Sequence, residues 1–63
     1  MLDKQLVKNR IEWLGNDSAW LEKDIAGMEQ RGVLSSSIQP LKNELNILLA
    51  KIEVLEWVLV NMD

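Results

Sequence analysis

The residues of this chain that could do acid–base or metal chemistry are carboxylates, because the sequence has ten Asp and Glu but no His and no Cys. Imidazole ligands, thiolate ligands and disulfide bonds are therefore excluded. Di-iron helical bundles also require His beside Glu, so that site cannot be built either. All ten acids lie off the apolar seams described below, and most occupy ordinary surface positions; Glu44, for example, precedes Lys51 by seven residues, two turns along the same face. We expect no metal site and no cofactor.

Three consecutive serines at 35–37 are the candidate nucleophiles, but a serine nucleophile needs a base. The sequence offers no His and no nearby Lys, so we interpret these serines as helix-capping residues. Gly15, Gly27 and Gly32 are isolated and form no phosphate-binding loop. We predict that the protein is not an enzyme.

Tryptophan is the remaining residue type with a functional signal. Trp is large, rigid and able to donate through its indole N–H, and it is enriched at binding hot spots. Leu6, Trp13 and Trp20 recur every seven residues, and Trp57 lies near the other end of the chain. These four are our candidates for binding another protein. The charged residues that flank the first two Trp would set selectivity and association rate: Arg10, Asp17 and Asp24.

The elements that position these residues follow from hydrophobic periodicity. A first seam steps alternately by four and three residues and is apolar at every position except Ser18, which is the pattern of a heptad helix. It consists of Val7, Ile11, Leu14, Ser18, Leu21, Ile25 and Met28. The seam keeps its phase through the segment GNDSAW at 15–20, so one helix from about residue 3 to 31 is expected, with the Ser18 hydroxyl bonded to a carbonyl one turn earlier. The alternative is a second helix that starts there with Asp17 or Ser18 as N-cap.

A second seam, apolar throughout, predicts a helix over about 37–62. It consists of Ile38, Leu41, Leu45, Leu48, Ile52, Leu55, Leu59 and Met62. In the turn at 32–36, Gly32 is suited to a left-handed position after the first helix. Ser36 and Gln39 fit a capping box, with Pro40 in the first turn of the second helix. A connection this short predicts an all-α, antiparallel two-helix hairpin.

The helices carry more apolar surface than one hairpin can bury. Ile47 and Val54 repeat off the second seam, and with Val58 they are our candidates for an oligomer interface. A chain of 63 residues is one domain, 1–63, and its hydrophobic core is too small to give a single copy much stability. We predict that two hairpins pair into a four-helix bundle with coiled-coil packing.

Charge and hydropathy disfavour some classes of binding partner. The net charge is −3 and the bases are scattered, whereas a nucleic-acid-binding surface usually carries a basic stripe. The segment at 54–62 is apolar, but its flanks lack the Lys and Arg of membrane-surface helices. No secretory signal and no bilayer-spanning run is evident. We expect a cytoplasmic protein whose partners are itself and another protein, with nucleic acid and membrane disfavoured.

Two resemblances concern the hairpin plan. It is similar to small plasmid RNA-binding hairpins that dimerise into four-helix bundles, although this chain's acidic balance argues against RNA binding. From Gly32 to Asn46 it also resembles small aspartyl-phosphate phosphatases of the sporulation pathway, whose second helix carries Ser-Gln-Glu-Leu-Asp. Glu44 and Leu45 match that pattern, but Lys42, Asn43 and Asn46 do not. The last Asp is the residue on which that family depends, so its activity is not expected here.

These observations predict a small, non-catalytic protein–protein interaction module, an adaptor, regulator or inhibitor that works as a homo-oligomeric hairpin. Small acidic chains of this kind are frequent among phage and accessory regulators. The alternatives are a purely structural homo-oligomer and an RNA-binding four-helix-bundle regulator.

Overall fold

The first helix runs without interruption through the segment that the sequence left open. A computed structural model describes residues 3–62 and shows α1 over Lys4–Gln30. The Asp3 side chain caps its start by accepting a hydrogen bond from the Gln5 backbone N–H at 2.9 Å. Ser18 Oγ donates to the Gly15 carbonyl oxygen at 2.9 Å, as expected. The alternative of a second helix starting at Asp17 or Ser18 is therefore wrong.

The turn after α1 is a glycine-terminated helix end. Gly32 has a φ of +74°, the left-handed conformation that an L side chain rarely adopts. The Val33 N–H bonds to the Met28 carbonyl oxygen at 3.0 Å, and the Gly32 N–H to that of Glu29 at 3.2 Å. This pair of bonds is the Schellman motif, which satisfies two carbonyls at the helix end and reverses the chain.

The second helix starts two residues earlier than expected. It is α2, Ser35–Val60, and its N-cap is Leu34, which makes no side-chain capping bond. The capping box of Ser36 and Gln39 was a wrong prediction, since Gln39 Nε2 instead donates to Asn43 Oδ1 at 3.0 Å. Because the helix begins at Ser35, Pro40 lies in the second turn and not in the first. It has no N–H to offer the carbonyl four residues earlier.

The helices pack against each other along the two predicted seams, so the antiparallel hairpin is confirmed for residues 3–62. Every seam residue is buried or only partly exposed. The most deeply buried are Val7, Ser18, Ile25 and Ile38, each at 3–7% exposure. No side chain among the described residues falls below 2% exposure, because two helices alone have no third layer to close over the seam. Met1, Leu2 and Asp63, which the predicted domain 1–63 includes, lie outside the described residues.

Candidate interaction surface

The hairpin has two broad faces, and the position of a residue relative to the seam decides which face it occupies. A step of one residue turns an α-helix by about 100°. In two antiparallel helices, the residues immediately before the seam residues therefore share one face, and those immediately after share the other. We call the first the tryptophan face. Its large apolar side chains are Leu6, Trp13 and Trp20 of α1 with Ile47, Val54 and Val58 of α2.

An open groove confirms that both helices contribute to this face. The groove has a volume of about 540 Å³ and runs between the helices. Arg10 and Leu14 line it from α1, and on the α2 side it is lined by Ile47, Ala50, Lys51, Val54 and Leu55. The candidate oligomer residues Ile47 and Val54 thus lie across the seam from the Arg10 side of α1. Leu14 and Leu55 form the floor of the groove, since both belong to the seams.

Exposure on the tryptophan face is high. Leu6 is 62% exposed, Trp13 68% and Trp20 65%. Leu6 and Trp13 border the same shallow depression on the outer side of α1. Trp20 lies in a separate one and has the Lys23 Nζ 5.4 Å from its ring centroid, a surface cation–π contact. Val58 is partly exposed and sits against the seam.

Charged residues alternate with the apolar ones on the same face. They occupy the other positions immediately before seam residues: Arg10, Asp17, Asp24, Glu44 and Lys51. None of the five forms an ion pair within the described part of the chain. Sequence reasoning treated Glu44 and Lys51 as ordinary surface charges and so missed that they share a face with Trp13 and Trp20. Their position just before the seam was the signal.

The opposite face is mostly polar. It carries the salt bridge of the hairpin among the described residues, Lys42 Nζ to Glu29 Oε2 at 3.3 Å. Both side chains are about half exposed, so this pair adds little stability. Leu49 and Val60 are the large apolar residues on this side. The two faces of the hairpin therefore differ in polarity, and most of the exposed large apolar side chains lie on the tryptophan face.

Trp57 is not brought together with the other two tryptophans. It lies two residues after Leu55 and two before Leu59, which places it on the outer edge of α2, away from α1. It is 68% exposed and borders a depression with Glu53 and Val54. Val60, 76% exposed, follows at the next turn. The four candidate partner-binding residues thus occupy two surfaces, Leu6, Trp13 and Trp20 on one and Trp57 on another.

The groups that could do acid–base chemistry are dispersed. Within residues 3–62 no three carboxylates converge on a point where a metal ion could be held. The serines at 35–37 are exposed at the start of α2, and every buried side-chain oxygen or nitrogen of the described residues has a hydrogen-bond partner. The main features of the described surface are therefore its exposed apolar and charged side chains.

No protein-family model matches the chain, and neither curated proteins nor solved structures gave a match. Within residues 3–62, neither helix has an apolar stretch long enough to cross a bilayer.

Proposed function

We propose that the protein is a non-catalytic, cytoplasmic protein–protein interaction module that works as a homodimer of hairpins. The observation that carries this proposal is the tryptophan face, where both helices expose large apolar side chains on the same side of the hairpin. Their exposed fractions range from 49% for Ile47 to 68% for Trp13. Apolar patches of this kind mark interfaces on soluble proteins. Self-association covers the face without any further component.

The shape of the hairpin supports the same proposal. Its radius of gyration is 14.6 Å, whereas a compact chain of this length has about 11 Å. Its accessible surface is 5007 Å², against about 4,100 Å² for a monomeric globular protein of the same mass. The excess surface lies along a rod of 47 × 15 × 15 Å. A second hairpin would turn this rod into a bundle with ordinary proportions.

Trp57 supplies a surface for a different protein. It stands on the outer edge of α2 with Val60 one turn away, so a second hairpin on the tryptophan face leaves it exposed. Large, exposed aromatic anchors of this kind dominate many interfaces. The dimer would then display two copies of this edge, which suits an adaptor, regulator or inhibitor that binds a protein partner.

Light scattering across a dilution series, with Trp emission recorded on the same samples, tests the proposal. We expect a dimer at micromolar concentration with blue-shifted emission. Trp13→Ala should weaken the dimer about tenfold or more, because Trp13 lies on the covered face. Trp57→Ala is the matched control, since it removes an equally exposed Trp and should leave the dimer intact. A monomer at every concentration, with red-shifted emission throughout, would refute self-association.

A further inference from the structure

The five charged residues of the tryptophan face are arranged with a symmetry that selects one dimer geometry. Along α1 the order is Arg10, Asp17, Asp24, with opposite charges seven residues on either side of Asp17. Along α2, Glu44 and Lys51 are opposite charges on either side of a midpoint between Ile47 and Leu48. Each set would pair with an inverted copy of itself.

The two midpoints lie at the same height in the hairpin. Asp17 is 13 residues before Gln30, the end of α1, and the α2 midpoint is 12–13 residues after Ser35, the start of α2. At about 1.5 Å per residue, both points are roughly 20 Å from the turn. One two-fold axis, perpendicular to the helices and parallel to the face, can therefore pass over both midpoints.

Building on the proposed self-association, we infer that two copies dimerise through the tryptophan face with their turns at opposite ends, α1 on α1 and α2 on α2. In this arrangement Arg10 of one copy meets Asp24 of the other, and Lys51 meets Glu44. Each pair occurs twice by symmetry. Asp17 meets its own copy at the two-fold axis, and this is the one like-charge contact.

The apolar residues of the face obey the same operation. Trp13 and Trp20 are centred half a residue from Asp17, so Trp13 of one copy lies near Trp20 of the other. Ile47 lies half a residue from the α2 midpoint and so meets Ile47 of the other copy, whereas Val54 of the other copy lies six residues, about 9 Å, farther along α2. Charged pairs and apolar pairs thus come from one rotation.

The alternative geometry, with both turns at the same end, places α1 of one copy on α2 of the other. Counted from the turn, Asp17 then lies within three residues of Lys51 and Asp24 within three residues of Glu44, whereas Arg10 is level with Val54. Each copy would place one acid against another and would leave Arg10 without an acidic partner. Like charges facing each other across an interface suppress the wrong arrangement.

The area available is adequate for a stable contact. A face of about 47 by 15 Å corresponds to roughly 700 Å² per copy. Two copies would bury on the order of 1,400 Å² in total, within the range of specific interfaces. A second copy therefore matches the tryptophan face in its charged residues, in its apolar residues and in the area it would bury.

Charge reversal distinguishes the two geometries, and the dimer dissociation constant at low salt is the readout. Asp24→Lys should weaken the dimer about tenfold or more in the inferred geometry, because the introduced ammonium group would face Arg10 of the other copy. With the turns at the same end, the same substitution should tighten the dimer, because the new positive charge would face Glu44. Arg10→Glu alone should also weaken the inferred dimer, and the double variant Arg10→Glu, Asp24→Lys should restore most of the affinity.

A crosslink provides a second readout that does not depend on affinity. The chain has no Cys, so Asp17→Cys introduces a single thiol at the inferred two-fold axis. Mild oxidation should link two copies through it rapidly, whereas with the turns at the same end these positions are too far apart for a disulfide. If the wild type is a dimer, Asp24→Lys tightens it and Asp17→Cys fails to crosslink, the geometry is wrong while self-association stands. If the wild type is a monomer, the proposed function itself fails.

Discussion

Ser18 Oγ donates a hydrogen bond to the carbonyl oxygen of Gly15 at 2.9 Å, inside a helix that continues on both sides. This contact explains how a buried polar residue is tolerated in the seam. Ser18 is only 7% exposed, and a buried hydroxyl without a partner would be costly. The local bond satisfies the hydroxyl within α1, so Ser18 needs nothing from α2.

The first prediction follows from the locality of this bond. Ser18→Ala removes a hydroxyl that serves only its own helix, so the free energy of unfolding should change by less than about 1 kcal/mol. Ser18→Asp buries a charge at the same point and should destabilise the hairpin by roughly 2 kcal/mol or more. Chemical denaturation at one fixed protein concentration measures both. Equal losses for the two variants would show that the hydroxyl has a partner beyond Gly15.

The second prediction concerns Gly15, which weakens the middle of α1. A Cβ added there meets no atom within 4 Å, and the residue has ordinary helical conformation. Gly15→Ala should therefore stabilise the hairpin by about 1 kcal/mol, which is roughly 4–8 °C in melting temperature for a domain of this size. Gly15 immediately follows the seam residue Leu14, off the tryptophan face, so the dimer affinity should not fall. Thermal melting followed by circular dichroism provides the test.

Gly32 is the matched opposite case and gives the third prediction. A Cβ there also meets nothing within 4 Å, but the φ of +74° strains any L side chain. Gly32→Ala should cost about 1–2 kcal/mol of unfolding free energy. The same melts serve as the readout. Stabilisation by both Ala substitutions would mean that the turn has another conformation.

The fourth prediction uses the start of α2. Leu34 is its N-cap, is 72% exposed and makes no capping bond, and the first turn of α2 contains no acidic residue. Leu34→Asp would provide a capping oxygen and a favourable charge at the helix N-terminus, so we expect a gain of about 1 kcal/mol. Leu34→Ala is the control for loss of the Leu side chain alone. The denaturation midpoint of the Asp variant should lie above those of both the Ala variant and the wild type.

The fifth prediction links stability to self-association. If only the folded hairpin dimerises, the melting temperature should rise with protein concentration by mass action. Melts over a hundredfold concentration range measure this rise, and Asp24→Lys should make the dependence less steep. A melting temperature independent of concentration in the wild type would contradict a dimer coupled to folding.

The path of the backbone, two helices joined by a turn, could be predicted from the sequence. The capping of α2 could not. The phase of the seam from Leu14 to Leu21 correctly predicted one continuous helix, because a break would have shifted the register. Gly32 correctly predicted the turn, since a left-handed position strongly favours Gly. The predicted capping box of Ser36 and Gln39 was wrong, because α2 begins at Ser35. Three consecutive serines offer several equivalent positions for the N-terminus of α2. The path of the chain after the Gly32 turn determines which of them is used.

That the tryptophans of α1 share a face with apolar residues of α2 also required the structure. The heptad spacing of Trp13 and Trp20 showed that they share a side of α1. That Ile47 and Val54 flank the same groove as Arg10 depends on how the two helices meet. Trp57 separates from the other two for a simple reason, since its position lies midway between seam residues and so faces directly outward.

The lack of any completely buried side chain among the described residues bears on turnover in the cell. A rod with a half-open seam gains much of its protection from whatever lies against it. If the hairpin dimerises as proposed, copies without a partner should spend more time open and be cut sooner by proteases. We therefore expect the lifetime of the chain to follow its degree of assembly, so that surplus subunits are removed and the cellular amount adjusts to the surface available to bind them.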